Sequence, residues 1–335
     1  MNRKLALTIA VLLLVSIAGC LGAIGSDGES PGPIDQVPND ANMVVHLDTA
    51  VEADDATMTL ADALADEDAN IDDVEDTEAE FEEETGLDPD EARELLAFTI
   101  ESDDDDSVEP DDGAFIVYAD WDRDELIESI SDEEDVDYDE AEHAGATVYE
   151  PGDSELGEFE DPPYVGELAN GQYVIGDEAA VMASLDVEHD AAESLSGEMR
   201  EAYDGVTDGY LTFAVDVSED ELPEDELPEE DELDTTSFDE VSVIAGSYYT
   251  AGDTVGVETR LHTDSENAAI DVADVTEGAI SLYRGVMPSE HQDLKEELRE
   301  IEVEQRGTVV SVTFQGDVDT LVEAIETAAD EDEIV

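Results

Sequence analysis

Two short runs of alternating aspartates have the spacing that could bind a metal. Calcium loops begin with oxygen ligands at alternate positions, but they also need Gly at the sixth position and Glu at the twelfth. Glu125 and Ser131 stand at those positions in the first run, and Glu140 and Ala146 in the second. We therefore predict no specific metal site. The two runs are Asp120-x-Asp122-x-Asp124 and Asp135-x-Asp137-x-Asp139.

Catalytic signatures are missing from the sequence. The histidines are far apart, and no Walker, dinucleotide-binding, nucleophile-elbow or zinc-protease motif occurs. Paired carboxylates can perform acid–base chemistry, but among 99 acidic residues no pair stands out. We predict no enzyme activity, no catalytic residue and no cofactor. His46 and His262 lie in strand patterns, and we interpret them as structural.

Cys20 is the only cysteine, which excludes internal disulfides and a thiolate metal site. It follows a positive segment, Asn2-Arg3-Lys4, and an apolar run from Leu5 to Ile17. A charged start, a short apolar core and small residues before a cleavage point are typical of a secretory signal peptide. We predict that residues 1–19 are a signal peptide.

The four residues Ile17-Ala18-Gly19-Cys20 resemble the lipobox of prokaryotic lipoproteins. The resemblance implies that Cys20 carries a diacyl- or archaeol-type lipid and begins the mature chain, at the extracellular face of the membrane. Two acyl chains anchor a protein stably where one does not. The general export route and a degenerate twin-arginine signal both stay open, because only Arg3-Lys4 is present. The alternative is an uncleaved transmembrane helix over Leu5–Gly25, although its glycines disfavour a helix.

The composition is extremely acidic. The chain has 99 acidic and 10 basic residues, with a formal charge of −89, and Lys295 is the only lysine after Cys20. Such charge opposes a compact state in dilute buffer, but molar salt shortens the Debye length to ~3 Å. The pattern resembles proteins of extreme halophiles. It excludes nucleic acids as partners, because phosphate contacts require Lys and Arg.

One local unit recurs along the chain: an apolar strand, an aspartate, and a helix with apolar residues four and eight positions later. The aspartate is predicted to cap the helix, and the apolar residues to form one buried stripe. The copies are strand 114–119 with Asp122, strand 173–175 with Asp177, strand 309–314 with Asp317 and strand 255–261 with Asp264.

Hairpin patterns separate these units, with turns at residues 250–253 and 306–307 and further short strands at 145–150 and 164–168. Hairpins beside strand–helix units predict an α+β fold with mixed or antiparallel sheets and helices on one face. We expect helices at 56–65 and 88–98, the second because Asp88-Pro89 is a strong helix start.

The chain is predicted to be organised in three regions after the signal peptide. Residues 20–37 form the lipidated cysteine and a flexible tether, and two similar α+β halves cover 38–190 and 191–331. Residues 218–234, a tandem Glu-Leu-Pro repeat, form an exposed acidic loop in the second half.

A second resemblance starts at Val37. The segments Val37-Pro38-x-Asp40-Ala41-x-x-Val44-Val45-x-Leu47-Asp48 and Gly171-x-Tyr173-Val174-Ile175-Gly176-Asp177-x-x-x-Val181 are similar to a family of uncharacterised, repeat-containing prokaryotic surface lipoproteins. The resemblance implies an ectodomain of repeated strand, helix and hairpin. It implies no catalytic residue.

A basic cluster lies near the C-terminus. His291, Lys295 and Arg299 are four residues apart, which places them on one helix face. The face either pairs with neighbouring acids or docks an acidic protein partner.

The sequence thus favours a lipid-anchored, non-enzymatic envelope protein that binds or scaffolds an unknown ligand. A solute-binding lipoprotein of a transporter and a cation-dependent hydrolase are the alternatives.

Overall fold

The computed structural model describes residues 32–67, 81, 85–101, 112–134, 136–152, 162–169, 171–217, 236–286, 299–323 and 325. The helices are α1 Asp55–Glu67, α2 Arg123–Glu134, α3 Glu178–Glu188, α4 Gly197–Tyr203 and α5 Glu266–Val286. The first strands are β1 Ala41–Asp48, β2 Ala92–Ile100, β3 Asp112–Ala119, β4 Tyr138–His143, β5 Ala146–Pro151 and β6 Tyr164–Ala169. The others are β7 Gln172–Gly176, β8 Leu211–Asp216, β9 Val241–Ala251, β10 Thr254–Thr263, β11 Glu302–Arg306 and β12 Val309–Asp317.

These elements confirm the predicted α+β class and divide into two compact units. The boundary falls between Ser196 and Gly197, and α1 belongs to the second unit although it precedes β2 in sequence. The structure differs here from the predicted halves, 38–190 and 191–331, which assigned α1 to the first. A local pattern identifies a helix but not the unit on which it packs.

The first unit is an antiparallel sheet in the order β1-β2-β3-β7-β6-β5-β4. Helix α2 packs Leu126 against Tyr149, Val165 and Tyr173. Helix α3 lies on the opposite face, where Leu185 approaches Gly166 so closely that a Cβ there would be 3.0 Å from its side chain. Helices therefore cover both faces of this sheet, rather than the single face predicted.

The polypeptide enters the first unit through a short 3-10 helix, Pro33–Gln36, and not through a tether that extends to residue 37. Ile34, Gln36 and Val37 are all buried. The Gln36 side chain donates to Glu188 (3.0 Å) and to Gln172 (3.3 Å) and accepts from the Tyr118 hydroxyl (2.9 Å). Ser184 donates to its backbone carbonyl. Buried polar groups need such partners, so Gln36 fixes this segment to the fold.

The predicted helix at 88–98 is wrong. The Asp88 side chain accepts a hydrogen bond from the Asp90 N–H, as a helix cap does, but the turn ends at Glu91 and β2 follows. Leu96, Phe98 and Ile100 are buried at every second position. This period of two and pairing with both neighbouring strands outweigh the local helix signal.

The second unit is an antiparallel sheet in the order β11-β12-β10-β9-β8. Helix α5 packs Ala269 and Val272 against Leu261 and Val310 on one face. The predicted hairpins are confirmed, with turns at 252–253 and 307–308, and Gly252 and Gly307 supply the positive φ angles that these turns require. The acidic loop at 218–234 lies outside the described residues.

Two aspartates of the recurring unit do not cap their helices with their side chains. Asp177 accepts instead from the Gly113 N–H (2.8 Å), which ties the start of α3 to β3. At α5 the capping side chain is Ser265, which accepts from the Ala268 N–H, and not Asp264. The apolar positions of both copies are buried as predicted, at Val181, Leu185, Ala268 and Val272.

A buried carboxylate holds part of the second unit together. Glu258 is 6% exposed and accepts from the Thr207 N–H (2.9 Å), the Thr207 hydroxyl (2.6 Å) and the Arg260 Nε–H (2.6 Å). Burial raises the pKa of Glu258, but these hydrogen bonds and the Arg260 charge outweigh burial and leave the pKa below its ordinary value.

Replacing Gln36 by Leu should lower the free energy of unfolding by about 2–4 kcal/mol, because the Tyr118 hydroxyl and the Glu188 carboxylate each lose a hydrogen bond to Gln36. Urea unfolding in molar KCl, followed by circular dichroism, measures the change. Gln315→Leu is the control, since Gln315 is exposed and should change stability by no more than about 0.5 kcal/mol. Equal stability of the two variants would contradict the role of Gln36.

Glu258→Gln should destabilise the protein at pH 7 by about 1–3 kcal/mol. The folded-state pKa lies below the unfolded one, so the ionised Glu258 stabilises the fold above the unfolded pKa. This contribution disappears as the pH falls through the folded pKa. Urea unfolding of both proteins from pH 7 to pH 3 should therefore show a difference that shrinks below about pH 4.5. A difference that stays constant with pH would contradict the assignment.

Candidate functional site

A cleft opens in the first unit where β3 ends and α2 begins. Its volume is about 280 Å³. Strand β3 ends at Ala119, and Trp121 and Asp122 form the short connection to α2. The cleft is lined by Trp121, Asp122, Arg123, Asp124, Glu167, Gly171 and Tyr173.

Strand register brings the floor of the cleft together. Glu167 on β6 lies opposite Tyr173 on β7, and Tyr149 on β5 lies opposite Val165 on β6. Residues 165 and 167 are two apart on one strand, so Tyr149, Glu167 and Tyr173 share one face of the sheet. This is the face that α2 covers, and Tyr149 and Tyr173 belong to its apolar core.

Trp121 forms an aromatic wall whose position is fixed by its neighbours. Its indole N–H donates to the backbone carbonyl of Asp88 at 2.7 Å. Its ring lies 6.5 Å from the ring of Phe81, centroid to centroid, with the planes tilted by 31°. Because the N–H is already bonded, the wall offers mainly its π surface to a ligand.

The charges around the cleft are mostly paired. Arg123 donates through Nε (3.1 Å) and Nη2 (2.9 Å) to the same Asp124 oxygen, and this hydrogen bond is the main reason that the pKa of Arg123 is raised. Asp122 accepts from the Asp124 N–H at 2.9 Å and caps α2. Among the described residues, the Glu167 carboxylate accepts no hydrogen bond, so it is the free charge of the cleft.

Two tyrosines lie beneath these charges. Burial raises the pKa of Tyr149 and of Tyr173, and nearby Glu167 raises both further, while Arg123 lowers them. Tyr149 is 5% exposed, and its hydroxyl is buried without a hydrogen-bond partner. A buried hydroxyl without a partner is costly, and here it lies next to the cleft.

The aspartates at 120, 122 and 124 do not converge on a metal position. Asp120 pairs with Arg93, whereas Asp122 and Asp124 make the contacts described above. In the second run, Asp135 lies outside the described residues. Within the described ranges, no group of three or more His, Cys, Asp or Glu side chains is arranged to hold a metal ion.

The histidines of the strand patterns lie apart from the cleft. His46 contacts Glu94 at 3.3 Å. His262 is half-buried, and its Nε2 has no partner among the described residues. Burial lowers the pKa of His262, although Glu198 and Glu201 raise it.

The other sequence-predicted site residues fall largely outside the described ranges. Cys20, His291 and Lys295 are among them, as is the alternative membrane helix Leu5–Gly25. Arg299 is described, and it lies exposed in a turn before β11. The predicted lipidation and the partner face stay predictions.

Sequence reasoning missed Trp121, Glu167 and Tyr173 as a group. One local signal was available, because Trp121 is the only tryptophan of the chain and immediately precedes a capping aspartate. No local signal joined it to Glu167 and Tyr173, since their proximity depends on strand register.

Comparison with known proteins gives a weak structural similarity. No protein-family model matches the chain, and no curated protein matches it. Crystal form I of TP0453 has a TM-score of 0.40 at 11% identity and covers 90% of this chain and 98% of its own. Form III has 0.45 at 9% (89% and 99%), and form IV has 0.46 at 10% (88% and 97%). At these values the similarity gives no indication of function.

Within the part of the chain that the structure describes, no helix is both long and apolar enough to cross a bilayer.

Replacing Tyr149 by Phe should leave the free energy of unfolding unchanged within about 1 kcal/mol or increase it, because the lost hydroxyl makes no hydrogen bond. Tyr138→Phe is the control: the Tyr138 hydroxyl donates to the Pro163 carbonyl at 2.8 Å, so its loss should be destabilising. Thermal unfolding in molar KCl measures both. If Tyr149→Phe were the more destabilising of the two, the hydroxyl would have a partner in solution.

Proposed function

We propose that this chain is a lipid-anchored envelope protein of an extreme halophile, which acts by binding a ligand or partner rather than by catalysis. The observation that carries the proposal is Cys20, placed after Ile17-Ala18-Gly19 at the end of the apolar run. By its resemblance to a lipobox, this cysteine joins the mature chain to membrane lipid.

The folded part of the chain begins close enough to Cys20 in sequence for an anchor there to hold it near a membrane. The first buried residues are Pro33 and Ile34, and Gln36 is held by side chains from β3, β7 and α3. An extended chain spans at most about 3.6 Å per residue, so the residues from Cys20 to Pro33 reach roughly 45 Å. A lipid at Cys20 would therefore keep the first unit near the membrane surface.

The charge supports the halophilic part of the proposal. Ten basic residues cannot neutralise 99 acids, and the described salt bridges are mainly exposed pairs of modest energy. Molar salt reduces the remaining repulsion to near neighbours.

The cleft is the feature that favours binding over catalysis. Its lining contains no serine, cysteine or histidine, so it offers no Ser–His or Cys–His nucleophile–base pair. It offers an aromatic wall and a carboxylate without a hydrogen-bond partner, which are groups that hold a ligand.

The same cleft is the one observation that favours the second candidate, a solute-binding lipoprotein of a transporter. That class is usually built from parallel strands and crossover helices, whereas every described strand pair of both units is antiparallel. We therefore rank it second. Docking of an acidic partner to His291, Lys295 and Arg299 remains compatible with either role.

Fractionation in molar salt tests the anchor. Wild-type protein should sediment with membranes and Cys20→Ser should be released, while the neighbouring Ser26→Ala should behave as wild type. Mass spectrometry of the N-terminal peptide should show lipid on Cys20. If both wild type and Cys20→Ser stay in the membrane, Leu5–Gly25 is a transmembrane helix. If wild type is found in the cytoplasm, the proposal of an envelope protein fails.

A further inference from the structure

We propose that the cleft between Trp121 and Tyr173 binds a small organic ammonium ion, with Glu167 as its counter-ion. The proposal rests on the proposed binding role and adds the class of ligand. It follows from the aromatic wall, the balance of charge and the size of the cleft.

Two aromatic rings line this cleft, and two more lie near it. The whole chain has one tryptophan, ten tyrosines and seven phenylalanines. The tryptophan and Tyr173 line the cleft, Tyr149 lies beneath it, and Phe81 stands behind Trp121. A cation over the face of a tryptophan is attracted by the ring quadrupole, and more strongly where water is partly excluded. Acidic residues alone would not distinguish this surface from the rest of the chain, so the proposal depends on the pairing of an indole ring with a carboxylate.

The charge of the lining is negative in spite of its arginine. Asp122, Asp124 and Glu167 face one guanidinium. The Arg123 guanidinium donates hydrogen bonds to Asp124, and Asp122 caps α2. Both carboxylates therefore already accept hydrogen bonds within the protein. Glu167 keeps its full acceptor capacity and shares its sheet face with Tyr173. A ligand with one positive charge would balance Glu167.

The volume limits the ligand to a small one. Pockets for drug-sized molecules measure about 300–1,000 Å³, and this cleft, at about 280 Å³, is slightly smaller than that range. A trimethylammonium group with a short polar tail, as in choline, has a suitable size. It also presents a diffuse charge to the indole, whose N–H is already occupied by Asp88.

An anionic ligand is the opposite possibility, because the N-terminus of α2 and Arg123 both attract negative charge. Asp122 and Asp124 already occupy this end of the helix, which lowers the attraction. Removal of the Arg123 charge should strengthen the binding of a cation and weaken the binding of an anion, so this substitution separates the two possibilities.

Trp121 is a built-in reporter. Because it is the only tryptophan, fluorescence excited at the long-wavelength edge of tryptophan absorption, where tyrosine does not absorb, reports on the cleft alone. Full-length protein, solubilised from membranes in molar KCl with a non-ionic detergent, is titrated with choline and with its neutral isostere 3,3-dimethyl-1-butanol. We expect a saturable change with choline and a much weaker one with the alcohol. An equal response to both, or none to choline, overturns the proposal.

Substitutions test the role of each charge. Glu167→Gln should weaken choline binding about tenfold or more, while Glu178→Gln, an exposed acid at the start of α3, should leave it unchanged. Arg123→Gln should strengthen binding. Equal losses at positions 167 and 178 would mean general attraction to a polyanion, and choline binding that is unchanged or weaker in Arg123→Gln would contradict the charge balance argued for the cleft; either result overturns the proposal.

Failure here is distinguishable from failure of the proposed function. If Cys20→Ser releases the protein from membranes but the protein does not bind choline, it remains a lipid-anchored protein with another ligand. Choline binding by a protein found in the cytoplasm would support the cleft and refute the anchor.

Discussion

Repulsion among carboxylates is the constraint on which the rest of this structure depends. With 99 acids and 10 bases, the fold gains little from charge pairing. Arg93, Arg123 and Arg306 each pair with a carboxylate at the surface, and among the salt bridges of the described residues only the Arg260 pair includes a deeply buried acid, Glu258. Cohesion therefore comes from apolar packing and from backbone pairing between antiparallel strands within each unit, which do not depend on the sign of the surface charge.

Several polar side chains fix positions that apolar packing would leave loose. Gln36 joins the incoming chain to β3, β7 and α3, and Glu258 joins the loop at Thr207 to β10. Asp54 has a similar role in the second unit, where it accepts from Thr57 and Thr250 and so holds the start of α1. Directional bonds of this kind specify register, which apolar contacts alone do not.

Sequence patterns predicted the elements better than their arrangement. The strand, aspartate and helix units at 114–134, 172–188 and 254–272 were recognisable because their apolar spacing is local. Asp88-Pro89 led to a wrong prediction of a helix, because a single turn satisfies the same capping signal. The segment that follows is a strand because it pairs with β1 and β3. The cleft could not be predicted from the sequence for the same reason, because Glu167 lies opposite Tyr173 only through the register of β6 with β7. The predicted role of Cys20 depends on a linear motif and needed no fold at all.

The attachment at Gln36 has a mechanical consequence. In a lipid-anchored protein, any drag on the ectodomain returns to the membrane through the residues that follow Cys20. That force reaches the fold first at the buried residues Pro33 and Ile34, then at Gln36, and next at the backbone hydrogen bonds from Leu195 to Val37 and from Asn39 to Glu193. Only beyond these bonds does it act on β1. In the proposed lipid-anchored protein, the side-chain network around Gln36 would therefore bear tension from the preceding residues before it reached the first strand of the sheet.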